Sequence, residues 1–192
     1  MNYERIINRI STYVQLNAKD KASIKQYFKP LGYPKNTDVQ AENTVPTYLY
    51  FIINGYMRLH YLNDYGDEVT TRISKPGEFI TPFLHFIHGR RTKMATECIT
   101  DCEVMAISQE DLKILMMRSE AFREFSVVIF EDAIEMIEKR ADDLATLGAE
   151  ERYKQFVEQH SDILQNVHLK YIASYLGIKP ESLSRIRKKM IS

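Results

Sequence analysis

The side chains best suited to chemistry lie at the C-terminal end of this 192-residue chain. They are cations rather than catalytic pairs: Arg185, Arg187, Lys188 and Lys189 stand close together with no acid between them. Guanidinium and ammonium groups clustered this way suit phosphate oxygens and the acceptor edges of bases. The residues just before them supply the frame. Ile172, Ala173 and Leu176 form one apolar helical face, Gly177 turns the chain without a Cβ penalty, and Ile178 fills the corner. Pro180 is preset for a first helical turn, and Leu183 and Ile186 give a second helix its inner face. Two short helices joined by a tight Gly-containing turn, the second one basic, read as a helix-turn-helix that enters a DNA major groove. The same spacing also serves plain packing, and cations at a helix end also answer that helix's dipole. Four of them exceed what a helix end needs.

Elsewhere there is no Gly-rich phosphate loop, Ser elbow, metal cluster or nucleophile–base pattern, so neither an enzyme nor a catalytic residue is expected. Formal charge is zero overall, yet from Ala149 onward eight Lys and Arg face five Asp and Glu, giving +3 there and −3 before it. A basic end on an acidic body suits DNA contact through that end alone. Cys98 and Cys102 are too few for a metal cage or a disulfide scaffold and read as reduced core residues. The start, Met1-Asn2-Tyr3-Glu4-Arg5, lacks the pattern of a signal peptide, and no apolar run approaches the ~20 residues of a membrane span. The expectation is a soluble, cytoplasmic protein with no membrane partner, no metal and no cofactor.

Along the chain, Ile6, Ile7, Ile10, Tyr13 and Val14 predict one helix, and Ala18 to Phe28 a second that stops before Pro30. Between Leu31 and Ile107 short β-rich runs alternate with turns. Tyr48 to Ile53 and Tyr56 to Leu62 flank Asn54-Gly55, a hairpin signal, and strands follow at Glu68 to Ile73 and Asp101 to Ile107. So many short antiparallel strands predict a small barrel or jelly roll. Ser108 then caps a long helix over about 109–147. Its residues Phe125, Ile129, Ala133, Met136, Arg140 and Leu144 recur at spacings of three and four and predict a dimer seam, with packing on the chain's own domain as the other reading. Arg140 on that seam either sets register or faces outward. A further helix from Ala149 to Gln159 leads to the helix-turn-helix. The fold class is therefore α+β, with residues 1–147 as jelly roll, flanking helices and long helix, and 148–192 as an all-α DNA-binding domain.

This order of elements resembles the superfamily of the cyclic-AMP receptor protein and the fumarate-nitrate reductase regulator. The most specific matches are Leu49 to Leu59, Lys75-Pro76-Gly77-Glu78-Phe79-Ile80, Asp101-Cys102-Glu103-Val104 and the helix-turn-helix. The resemblance implies a cyclic-nucleotide-binding-like roll with a small effector, a homodimer joined by the long helix, and a C-terminal reader of palindromic double-stranded DNA, with RNA polymerase as a further partner. Family members that bind cyclic nucleotides use a Gly-Glu pair for the ribose and an Arg followed by Ser or Thr for the phosphate. Here those positions fall on Thr81-Pro82 and Thr92-Lys93. Each charge-assisted bond is worth about 1.5–3 kcal/mol, so cyclic AMP is not expected as the effector. The degenerate pocket is expected to comprise Glu78, Thr81, Pro82, Arg90, Arg91, Thr92 and Lys93. Arg90, Arg91 and Lys93 read equally well as a solvated loop tip beside Gly89. No N-terminal cysteine cluster suits an iron–sulfur sensor, and His85 and His88 are more simply part of an amphipathic turn.

The family usually follows its recognition helix with a β-hairpin wing, whereas this sequence reaches Ile191-Ser192 straight after the helix. Fewer phosphate contacts and a shallower salt slope follow from that. Matching positions put Glu181, Ser182 and Arg185 toward base edges, and Lys170, Lys179, Lys188 and Lys189 toward phosphates. A dimeric ligand-sensing or partner-binding module that leaves DNA alone is the other reading.

Overall fold

The computed structural model describes residues 2–191, so expectations that touch Met1 or Ser192 lie outside it. Helices α1 (Asn2–Ser11) and α2 (Ala18–Tyr27) open the chain. Asn17 caps α2: its side chain accepts from the N–H groups of Lys19 and Asp20 at 2.8 and 3.0 Å, while Asp20 Oδ2 accepts from Asn17 N–H at 3.0 Å. The reciprocal pair satisfies donors a helix start leaves open.

The roll follows as β1 (Lys29–Tyr33), β2 (Asp38–Gln40), β3 (Tyr48–Asn54), β4 (Met57–Leu62), β5 (Glu68–Ser74), β6 (Phe79–Ile80), β7 (Ala95–Cys98) and β8 (Cys102–Ser108), with a short helix α3 (Phe83–His88) after β6. These strands make two antiparallel sheets in the orders β1-β8-β3-β6 and β2-β7-β4-β5. Pro30 is tolerated in β1 because β1 is an edge strand. Gly55 closes the β3–β4 hairpin at φ +90°, where an added Cβ would fall 2.3 Å from Asp101 O, so both the backbone angle and the space demand glycine. Cys98 and Cys102 are free and buried in the roll.

Beyond the roll, the single helix expected over about 109–147 is two: α4 (Gln109–Arg118) and α5 (Glu120–Thr146). Ser119 breaks it at φ −139°, ψ 129°. Its N–H ends α4 on Leu115 O, and its hydroxyl donates to Asp20 Oδ1 at 2.7 Å, so the break is anchored to α2. Phe122, Phe125, Ile129 and Ala133 of α5 lie in one core cluster with Ile6, Ile10, Phe51, Phe79 and Phe86. The stripe expected to meet a second copy is, over Phe125, Ile129 and Ala133, the stripe that packs on the chain's own roll. Burying large apolar side chains there removes the most surface from water. The opposite face leaves Val127, Ile134 and Ile137 at 54, 46 and 63 % exposure.

The C-terminal helices are α6 (Ala149–Gln159), α7 (Ser161–Asn166), α8 (Leu169–Tyr175) and α9 (Pro180–Ile191). Their core of Tyr153, Phe156, Ile163, Tyr171, Ile172 and Leu183 also takes in Ile73 and Ile99 from the roll. Among the described residues, no helix is long and apolar enough to cross a membrane.

Between α8 and α9, Gly177 donates to Ser174 O at 3.1 Å and Ile178 to Ala173 O at 3.0 Å. This is a Schellman end with Gly177 left-handed at φ +66°. A Cβ on Gly177 would stand 2.8 Å from Leu144 Cδ2. Gly177→Ala is expected to cost about 1–2 kcal/mol and to lower Tm by roughly 2–8 °C, measured by calorimetry; an unchanged Tm contradicts this account of the turn.

Candidate nucleic-acid interface and ligand cavity

The pattern of α9 sorts its residues by face. Leu183 is fully buried and Ile186 half-buried against α8. Glu181, Ser184, Arg185, Lys188 and Lys189 are exposed, and Ser182 and Arg187 are half-buried. Glu181, Arg185 and Lys188 share one outward face, spaced four and three apart. Lys189 is not a loose cation: it pairs with Glu150 Oε2 of α6 at 2.8 Å. Lys179 is exposed, while Lys170 lies over the Tyr171 ring, its Nζ 4.6 Å from the centroid.

What orients α9 is the way α8 sits on β5. This strand is the edge of its sheet, and its outward backbone groups find partners on the helices. Thr70 N–H donates to Ser174 Oγ at 2.8 Å, and the Ser174 hydroxyl donates on to Glu68 O at 2.8 Å. Arg140 of α5 donates to Thr70 O at 3.1 Å and to Tyr175 O at 3.2 Å. Arg140 does not point out into solvent; it ties α5 to β5 and α8. Behind this seam Arg58, 2 % exposed, donates to Glu97 at 2.5 Å, Glu68 at 2.6 Å and Thr70 Oγ1 at 3.1 Å. Its guanidinium stacks 4.0 Å above the Tyr171 ring of α8. A buried guanidinium held by two carboxylates and an aromatic face is well compensated.

A cavity of about 230 Å³ opens between the roll, α3 and α5. Thr81 and Pro82 line it, together with Leu59, Thr71, Phe83 and Met94. The Thr81 hydroxyl is buried and has no hydrogen-bond partner among the described residues. Phe130, Ile134 and Ile137 of α5 form an apolar wall, and Arg72, His85, Arg140 and Tyr175 are among its polar lining residues. No carboxylate is among these lining residues. Burial lowers the pKa of both Arg72 and Arg140 from the usual guanidinium value. Arg72 is fixed by bonds to Ser74 Oγ at 2.9 Å and Phe79 O at 2.8 Å.

Five residues expected in this pocket lie elsewhere. Glu78 borders a separate cleft with Arg9, Tyr13 and Asp132. Arg90, Arg91 and Lys93 are exposed; Arg91 donates to Asn43 O at 2.7 Å and Lys93 covers Tyr61 at 3.9 Å. Thr92 is buried, but bridges to Thr44 outside the cavity. The cations at the cavity come from β5 and α5. Alternation along β5 gave no signal for Arg72: the register shifts opposite Leu59 and His60, so the neighbours Thr71 and Arg72 both line the cavity.

Comparison with known proteins agrees with this geometry. Residues 30–119 match the family model of the cyclic nucleotide-binding domain. No curated protein matches the sequence. FixK2 from Bradyrhizobium japonicum is 18 % identical, with a TM-score of 0.75 over 85 % of this chain and 84 % of that one. The c-di-GMP responsive global regulator CLP of Xanthomonas campestris is 21 % identical, with a TM-score of 0.71 over 91 % of each chain. The chain shares the fold of these two solved structures. The catabolite activator protein of Thermus thermophilus shares it at 18 % identity, with a TM-score of 0.58 over 92 % of this chain and 84 % of that one. Within this fold the sheet edge, α5 and α8 meet at the cavity wall.

Glu68 makes the junction sensitive to acid. Burial alone would raise its pKa, but the hydrogen bond and charge of Arg58 hold it below the usual carboxylate value. A depressed carboxylate pKa adds stability that is complete above the unfolded value, about 4.3, and is lost as pH falls through the lower folded value. Glu68→Gln should therefore flatten the decline in Tm between about pH 5 and pH 3; an acid limb as steep as in the native chain refutes the role given to this pair.

Proposed function

We propose that this chain is a homodimeric transcription regulator that reads a palindromic operator with α9, with RNA polymerase as a downstream partner. The observation that carries the reading is the outward face Glu181–Arg185–Lys188, displayed on a helix whose inner face is locked by Leu183 and the Schellman turn. Arg185 suits a bidentate contact with guanine O6 and N7, and Glu181 an amine of cytosine. Lys179 and Lys188 serve phosphates, as does Lys170; Lys189 would exchange Glu150 for a phosphate. Ser182, half-buried, contributes only at the margin of the groove contact.

The second copy docks on the face of α5 that the roll leaves open. Val127, Ile134 and Ala141 alternate with Phe130, Ile137 and Leu144 in a heptad pattern along it. Of the expected seam, Leu144 belongs to that face and Met136 borders it. A partner there covers the mouth of the cavity beside Ile134 and Ile137. The effector is a small molecule with an apolar body and an anionic group, since the lining offers two arginines, an apolar wall and no carboxylate for a ribose. Cyclic AMP does not fit that chemistry.

Arg185→Ala is expected to weaken the specific site by ~1–3 kcal/mol and relax one base position, whereas Lys188→Ala weakens all duplexes alike. Equal losses on specific and random DNA for Arg185→Ala refute the base-reading role. Ile137→Glu, on an exposed position, should shift the protein from dimer to monomer in sedimentation while leaving its helix content by far-UV circular dichroism unchanged. A dimer that survives Ile137→Glu refutes the interface.

A further inference from the structure

Away from the cavity and α9, the outer face of the β2-β7-β4-β5 sheet brings three potential metal ligands together. Register sets Asp38 beside Glu97, and Glu97 beside Arg58; His60 lies two residues further along β4 on the same side as Arg58. His60 Nε2 stands 3.7 Å from Asp38 Oδ1 and 3.6 Å from Glu97 Oε2, and the three ligand atoms all lie within 4.8 Å of one another. Those gaps are too long for hydrogen bonds. Both ring nitrogens of His60 are buried with no hydrogen-bond partner among the described residues, and the side chain is 10 % exposed. Leaving a buried imidazole without partners costs free energy that a ligand would recover.

The spacing fits a metal better than a proton. Two ligands each about 2.1 Å from a tetrahedral zinc ion stand roughly 3.4 Å apart. The observed 3.6 and 3.7 Å therefore need to contract by only a few tenths of an ångström. Charge agrees: Asp38, Glu68 and Glu97 gather around one guanidinium, Arg58, which already serves two of them. The Arg58 bond to Glu97 Oε2 holds that carboxylate in place beside His60, as hydrogen bonds to metal ligands do. Asp38 is 56 % exposed, which gives an ion a path in from solvent.

We propose that Asp38, His60 and Glu97 form a binding site for a divalent transition-metal ion of the zinc class, with water in the fourth position. One imidazole and two carboxylates suit Zn²⁺ or Co²⁺ rather than a thiophilic ion such as Cu⁺. The site abuts the Arg58–Tyr171 contact, so an ion on Glu97 acts beside the junction that holds α8.

Titration of the chelator-treated full chain with Zn²⁺ by calorimetry, and with Co²⁺ by absorption, tests this. The expected result is one ion per chain and Co²⁺ d–d bands without a thiolate charge-transfer band. Asp38→Asn and His60→Gln should each weaken binding by at least about tenfold, the lower end of what even an outer-shell partner contributes. Should His60→Gln fail to fold, the exposed Asp38→Asn decides. Absent stoichiometric binding, affinity unchanged in Asp38→Asn, or a thiolate band from Cys98 and Cys102 overturns the assignment.

Discussion

An edge strand in a half-open roll must have its outward N–H and C=O groups satisfied, and in this protein the covering of β5 governs the rest. The groups concerned are Thr70 N–H, Thr70 O and Glu68 O. Ser174 answers the first and last, and Arg140 answers the second. Polar cover of this kind blocks edge-to-edge pairing with another sheet. It also fixes where α8 lies, and through the Gly177 turn where α9 points. Arg58 reinforces the arrangement from within the sheet by stacking on Tyr171. The orientation of the basic helix is thus set by a few directional bonds as well as by the apolar core of Ile73, Ile99, Ile172 and Leu183.

Those bonds share residues with the cavity. Arg140 and Tyr175 line it, and the same Arg140 holds the backbone of Tyr175 and Thr70. A ligand in the cavity therefore meets the groups that position α8 directly, with no long chain of intermediates. Coupling between two sites requires that each state offer a ligand different contacts.

The parts legible in the sequence are those specified over short range. Gly177, Pro180 and the apolar positions around them define two helices and their turn within about fifteen residues. Asn54-Gly55 likewise marks its own hairpin. What escaped reading was set by tertiary contact. β2 and β6, at Asp38–Gln40 and Phe79–Ile80, are too short to carry a period, and β1 includes Pro30, which only an edge position makes harmless. Helix α5 bears two apolar stripes with nearly the same spacing; the one richer in phenylalanine packs on the roll, leaving Val127, Ile134 and Ile137 outside. Arg90, Arg91 and Lys93 are near the pocket residues in sequence but turn to the surface, while Arg72 and Arg140 reach the cavity from distant elements. The trio Asp38, His60 and Glu97 exists only once strand register is known.

The account rests most heavily on α9 as a reader of base sequence. Selection of random duplex DNA by the purified protein tests it most directly. The predicted result is an enriched palindrome with half-sites about 34–36 Å apart, one helical turn, as two-fold related helices in successive major grooves require. Recovery of duplexes with no shared sequence would contradict it and would leave the chain a dimeric sensing module that acts without DNA.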